Sequence, residues 1–448
     1  MSQLWAKDLP LDALVHRFTV GDDPVTDLRL VEFDAMGSAA HARMLHSVGL
    51  LSDEDVASLV QGLQHIASQS WAGKFKISAD QEDCHTAIEQ ALVAACGDAG
   101  KRIHLGRSRN DQVQLATRLW MRAHLFELVD GVGALAQALL DLGKRHKDVA
   151  LPGYTHMRRA MPSSVGQWTS AFAEGLLEDI ESAEGVFKRI DRCPLGAAAG
   201  FGVPLPLDRE LTAELLGFER VQRSTIDVQN SRGRHELALA GWLVSVGLTV
   251  EKLCWDLALY SMEEFGFVKL PDEFTTGSSI MPQKRNPDVI ELARAKCREL
   301  RGRHALLAEL AGGLPSSYHR DFQLLKRPLF DMVDDAATLL VVMERVVRGL
   351  QFDGAMTAAA CSDDLFAANE ACRRVGEGAT FRDAYREVAS ELLSGTFKPD
   401  RSALAAPHTG GLDNLGLEAS EEDLVGLRKH WAVREQSTRA RLQAVFEL

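Results

Sequence analysis

Fourteen prolines are spread so unevenly over these 448 residues that they constrain the architecture before any motif is read. None falls between Pro24 and Pro152, Pro206 and Pro271, Pro287 and Pro315, or Pro328 and Pro399. They gather at 152/162, 194/204/206, 271/282/287 and 315/328. Proline lacks a backbone donor and clashes with the preceding helical turn, so helix interiors exclude it. The pattern predicts very long helices joined at a few proline-rich corners. In the first gap, Leu115, Leu119, Phe126, Val129, Leu135, Leu139 and Leu142 follow a helical period between Asp111 and Lys147. A helix of that length exceeds what one small core needs and points to a bundle. Residues 236–265 are apolar on more than one side, as in a helix buried in a large bundle or between subunits. Alternating strand patterns are scarce. The expectation is an all-α protein with three helical regions: 1–106, a central long-helix bundle at 107–352, and a small C-terminal region at 353–448.

Apolar residues make up 46 % of the chain, enough for sizeable cores. The net charge of −13 argues against a general nucleic-acid binder. An anionic substrate would need a local positive pocket. The cysteines, at 84, 96, 193, 254, 297, 361 and 372, are odd in number and form no Cys-x-x-Cys pair. That reads as reduced cytoplasmic thiols, with neither disulfides nor a metal site. The first residues hold no signal-peptide core, and no run of about 18 apolar residues is expected to span a membrane.

Four segments concentrate chemistry. Gly277-Ser278-Ser279-Ile280-Met281-Pro282-Gln283-Lys284-Arg285-Asn286-Pro287 places two hydroxyls and two cations on a glycine-led loop. Asn286 is a candidate N-cap with Pro287 first in the helix that follows. Such a loop suits a reaction that builds negative charge on a carboxylate, although composition alone also fits an ordinary surface loop. Gly106-Arg-Ser-Arg109-Asn110-Asp-Gln112 offers guanidinium forks for carboxylates, or simply a solvated helix start capped by Asn110 or Asp111. Gly153-Tyr-Thr155-His156 sets a histidine in a Pro-Gly corner, where it is either a structural group or a proton carrier. Leu314-Pro-Ser-Ser-Tyr318-His-Arg-Asp-Phe-Gln323-Leu-Leu-Lys326 spaces Tyr, Gln and Lys off any single helical face, so part of it is loop. Glu291, in the first turns after Pro287, is favoured there by the helix dipole in any case.

Together these segments resemble the argininosuccinate lyase branch of the fumarase/aspartase superfamily, over essentially the whole chain. The family's loop reads Gly-Ser-Ser-x-Met-Pro-Gln-Lys-x-Asn-Pro, and its other motifs match Gly106–Gln112, Gly153–His156 and Leu314–Lys326. The resemblance implies elimination of argininosuccinate to arginine and fumarate, with no metal or organic cofactor. It implies Ser278 as general base, supported by Lys284, and His156 paired with Glu291 as proton donor or relay. Arg109, Asn110, Thr155, Lys284 and Asn286 would hold the succinyl carboxylates, Ser279 would also bind substrate, and Tyr318, Gln323 and Lys326 would grip the arginine half. His85, in Glu82-Asp-Cys-His85, would lie near substrate or serve the structure, and Gly37-Ser-Ala-Ala-His41 would be structural. The resemblance also implies a homotetramer with active sites shared between subunits, in the cytoplasm, with no nucleic-acid or membrane partner. Alternatives are another fumarate-releasing lyase, such as one for adenylosuccinate, or a crystallin-like structural protein.

The chain departs from the family in two places. Met157-Arg158-Arg-Ala-Met161-Pro162 stands where the family has Leu-Gln-Arg-Ala-Gln-Pro. Phe18-Thr-Val-Gly21-Asp22-Asp23 lacks the serine of Phe-x-x-Ser-Ile-x-x-Asp and is about two residues longer. Asp22 and Asp23 would reach the cationic guanidinium or form a solvated turn.

Overall fold

The computed structural model describes residues 12–78, 80–401 and 406–447; the N-terminal residues read above for a signal peptide lie outside them. After two short turns of helix, α1 (Val31–Ser47), α2 (Asp53–Trp71) and α3 (Cys84–Cys96) form an N-terminal layer. Next comes α4 (Arg109–Arg145), 37 residues and about 55 Å at 1.5 Å per residue. A hairpin of β1 (Ala150–Thr155) and β2 (Arg158–Ser164) leads into α5 (Val165–Ile190), and then α6 (Arg234–Tyr260). The ladder β3 (Thr276–Gly277) with β4 (Arg285–Asn286) precedes α7 (Asp288–Ala311) and α8 (Lys326–Gly349). Shorter helices lead to α9 (Leu417–Ala444). Strands among the described residues pair only two by two, so the protein is all-α.

The proline-free gaps hold the long helices. α4 packs along α5 and α8, α6 along α5 and α7, and α9 returns from the C-terminal region onto α4 and α5. The seam is apolar: Trp120 of α4 meets Phe330 of α8 at 4.4 Å between ring centroids, and Phe126 meets Phe187 of α5 at 5.5 Å. Each such side chain, fully buried, contributes about 1.5–3 kcal/mol of transfer free energy.

Two local expectations shift. α4 is capped by Ser108 rather than Asn110 or Asp111. Ser108 Oγ accepts from Asn110 N at 3.3 Å, and Asp111 Oδ1 accepts from Ser108 N at 3.0 Å, a reciprocal capping box. α7 begins one residue later than read: Pro287 is its cap, without a side-chain cap bond, because Asn286 belongs to the β3–β4 ladder. The expectation that no run is apolar enough for a membrane also needs correction. The helical run 225–260 is long and apolar enough to cross one. Half of its most apolar window is buried inside the chain, which fits a core helix of the bundle equally well.

Candidate active site

The segment Gly106–Gln112 is clamped from both sides. Arg107 donates to Ser38 Oγ at 2.7 Å, and His41 Nε2 bonds Leu105 O at 2.8 Å. Gly37 brings α1 against α4, since a Cβ there would lie 2.5 Å from Leu115 Cδ2. The Gly37–His41 segment is thus structural, as read. Buried Asp111 Oδ2 accepts from Gly196 N (3.0 Å) and Ala198 N (2.7 Å), tying the start of α4 to the 194–200 corner. Burial pushes this carboxyl up to about 6, and its backbone donors pull it back only in part.

This clamp presents Arg109 and Asn110 to a cavity of about 160 Å³. The same cavity is lined by His85, Tyr318, Gln323 and Lys326, so six predicted site residues from three distant segments converge there. Tyr318 precedes a 3-10 turn, Arg320–Leu325, and Lys326 opens α8, which is why the three polar groups share no helical face. Sequence reading missed other residues of the wall: Asp27, Glu82, Asp83, Arg232 and Arg320. Of these, Arg232 carried no motif signal. It is buried, with its guanidinium 5.5 Å from the Tyr318 ring centroid and 5.3 Å from that of Phe322.

Every cation in this cavity has a partner. Arg109 donates to Glu82 (2.9 Å) and Thr86 Oγ1 (2.6 Å), with Asp83 at 3.5 Å. Lys326 Nζ lies 2.5 Å from Asp27 Oδ1 and 2.8 Å from Asp23 Oδ1. Burial opposes its charge, but the two carboxylates more than offset this and hold its pKa above the ordinary value. Asp23 is thus paired with a lysine of its own chain, while Asp22 pairs at the surface with Arg327. Gln323 Nε2 donates to Thr19 O (3.1 Å) and Val20 O (2.8 Å), fixing the turn that carries Gly21. Gly21 sits at φ 58, ψ −134, a conformation open essentially to glycine.

His85 Nδ1 bonds Asp34 Oδ2 at 2.9 Å, and its Nε2 is buried without a partner. Burial works against the charged ring, yet Asp34 prevails and raises its pKa. Asp34, Cys84 and His85 are close enough together to hold a metal ion. Burial lifts the Cys84 thiol well above its ordinary pKa, and a protonated thiol is a poor ligand.

The other predicted residues stand apart from this cavity. Thr155 and His156 are exposed at the hairpin tip, where His156 (φ 52) and Met157 (φ 59) form its two-residue turn. Ser279 and Lys284 are exposed and Ser278 half-buried on the loop closed at its base by Thr276↔Asn286 and Gly277↔Arg285. Ser278 Oγ accepts from Met281 N at 3.2 Å and Ile280 N at 3.4 Å. Among the described residues, the side chains of Glu291 and His156 make no hydrogen bond or ion pair, with each other or otherwise, although Glu291 N donates to Pro287 O at 3.2 Å. A larger cleft of about 780 Å³ between α5 and α9 contains none of the predicted residues.

The "Lyase" family model matches residues 8–302. An argininosuccinate lyase of Sorangium cellulosum is 45 % identical over 92 % of this chain and 97 % of its own length. One of Parabacteroides distasonis is 41 % identical over 93 % of each. Among solved structures, EDDS lyase in complex with formate superposes with a TM-score of 0.80 at 22 % identity, covering 98 % of this chain and 95 % of that one. Class II fumarase from Schistosoma mansoni gives 0.74 at 18 %, over 90 % and 97 %. The two structures establish a shared fold, and the two relatives go further: the chain belongs to the argininosuccinate lyase family.

Proposed function

We propose that this chain catalyses the reversible elimination of argininosuccinate to arginine and fumarate, in the cytoplasm and as a homotetramer. The observation that carries the reading is the convergence of Arg109, Asn110, Tyr318, Gln323 and Lys326 on one cavity in a chain of this family. The reaction has two difficulties. A C–H beside a carboxylate is very weakly acidic, and the departing guanidino nitrogen must gain a proton. Ser278 is the base in this reading. The amides of Ile280 and Met281 aim at its Oγ and favour the ionised form, and Lys284 adds positive charge to the loop. His156, with Glu291 as its orienting carboxylate, supplies or relays the proton. Thr155, Ser279 and Asn286 join Arg109 and Asn110 around the succinyl carboxylates. Lys326, Tyr318 and Gln323 hold the amino-acid end.

Sharing the site among subunits brings the exposed loop and hairpin to a neighbour's cavity. The faces left open on the bundle support such an assembly. Leu248 and Trp255 on α6 are 47 % and 45 % exposed, and Leu292 and Leu306 on α7 are 65 % and 48 % exposed, each set at helical spacing. The seven free thiols fit a reducing compartment.

The test is fumarate release, followed by ultraviolet absorbance, from a panel of succinyl-linked amines. Release from argininosuccinate and not from adenylosuccinate is expected. Release from adenylosuccinate alone would end the reading.

A further inference from the structure

The amino-acid end of the cavity poses an electrostatic problem. Lys326 is the cation read there as the carboxylate receptor, yet its ammonium already faces Asp27 and Asp23. One cation between two anions leaves a local excess of negative charge, which repels a third carboxylate. The two acids are not equivalent. Asp27 is sealed in, its side chain 1 % exposed, and it also accepts from Cys84 N at 3.4 Å. Asp23 belongs to a short helical turn on the cavity wall, and its side chain is 16 % exposed.

We propose that Asp23 is the exchangeable counterion of Lys326: it neutralises the ammonium while the site is empty and, on taking up a proton, gives way to the carboxylate of an incoming amino-acid ligand. The inference rests on the reading of Lys326 as a carboxylate receptor. The balance is simple. One proton from solvent binds Asp23, one ligand carboxylate replaces one protein carboxylate at Nζ, and Lys326 keeps its own proton.

The surroundings favour this exchange. Burial pushes the Asp23 carboxyl up to about 6; Lys326 pulls it down, and Asp27 and Asp83 push it further up. Other charges on the wall are largely engaged elsewhere. Arg109 is held by Glu82 and Asp83, Arg320 donates to Thr19 O at 2.8 Å, Arg232 lies against the Tyr318 and Phe322 rings, and His85 is bound to Asp34. The sign follows. Below about pH 6 Asp23 is already protonated and the exchange is free; above it, each pH unit weakens carboxylate binding about tenfold.

Steady-state kinetics with argininosuccinate against pH, on wild type, Asp23→Asn, Asp23→Glu and Asp22→Asn, tests the exchange. In wild type KM should rise about tenfold per unit above pH 6 without a matching change in kcat. Asp23→Asn should show a lower KM with little slope, and Asp23→Glu should restore the slope. Asp22→Asn, at the surface pair with Arg327, should match wild type. Calorimetry of arginine binding in buffers of different ionisation enthalpy should show close to one proton taken up above about pH 7 by wild type and none by Asp23→Asn. An unchanged slope in Asp23→Asn, or no proton uptake by wild type, overturns the inference while leaving the proposed reaction standing. A wild type that releases no fumarate from argininosuccinate overturns both.

Discussion

The cavity at Arg109 and Lys326 and the loop at Ser278 belong to one proposed site, yet they meet their polar requirements in opposite ways. In the cavity, each cation has carboxylate, hydroxyl, carbonyl or ring partners supplied by the same chain. On the loop, Lys284 is exposed, and among the described residues Ser278 Oγ is engaged by two backbone amides of its own turn. The exposed side chains of His156 and Glu291 likewise have no partner among the described residues. The groups read as binding are thus preorganised by the fold, whereas those read as chemical lie at least partly open to solvent, as the proposed sharing of the site between subunits requires. On the proposed reading, the contrast separates two kinds of contribution, affinity from the cavity and turnover from the loop.

The sharpest way to break this division is at Ser278. Ser278→Ala removes the proposed base from an exposed loop, so turnover should fall about 10²–10⁴-fold with thermal stability unchanged. Near wild-type fumarate release would move the base elsewhere, with His156 next in line. A second test asks whether the two regions meet across subunits. Ser278→Ala and Arg109→Gln should each be nearly inactive alone, and mixed tetramers formed after dissociation should regain a measurable share of activity. No recovery from properly reassembled mixtures would place both regions in one chain.

Lys326→Met probes the cavity side. Loss of a charge-assisted contact worth roughly 1.5–3 kcal/mol should raise KM about tenfold to a hundredfold and largely spare kcat. Because Asp23 and Asp27 would then be left without their cation, stability should also drop by about 3 kcal/mol, seen as a lower denaturation midpoint. An unchanged KM would mean that Lys326 never meets substrate. The smallest effect is expected at the hairpin tip. Met157 is 74 % exposed at φ 59, so Met157→Gly should gain roughly 0.5–1 kcal/mol without altering turnover. A loss of activity or stability would show that Met157 packs in the assembled enzyme.

Legibility in the sequence followed locality. Proline gaps and helical periods were enough to place α4 and α6 within a few residues, because those rules act over one or two turns. The Ser108–Asp111 capping box was equally local, but Asn110 and Asp111 are good caps too, so residue type alone did not single out Ser108. What the sequence hid were pairs set by the fold. Lys326 and its carboxylates are about 300 positions apart, and Arg232 enters the cavity with no motif around it. Motif resemblance supplied Arg109, Asn110, Tyr318, Gln323 and Lys326, but not the anions that neutralise them. It implied sites shared between subunits, without saying that the loop and the hairpin are the segments that stand apart from the cavity of their own chain.

The left-handed turn at His156 carries one more consequence. Asparagine or glycine suits that backbone better than histidine does, at φ 52 in a two-residue hairpin turn. If His156 carries the proton as proposed, local folding preference and acid–base chemistry ask for different residues at the same position. Drift under selection for stability alone would replace the histidine, and only continued need for its proton would retain it. Among descendants of this fold that have stopped eliminating fumarate, the hairpin tip is where the history of lost chemistry should be written first, as a gain in stability.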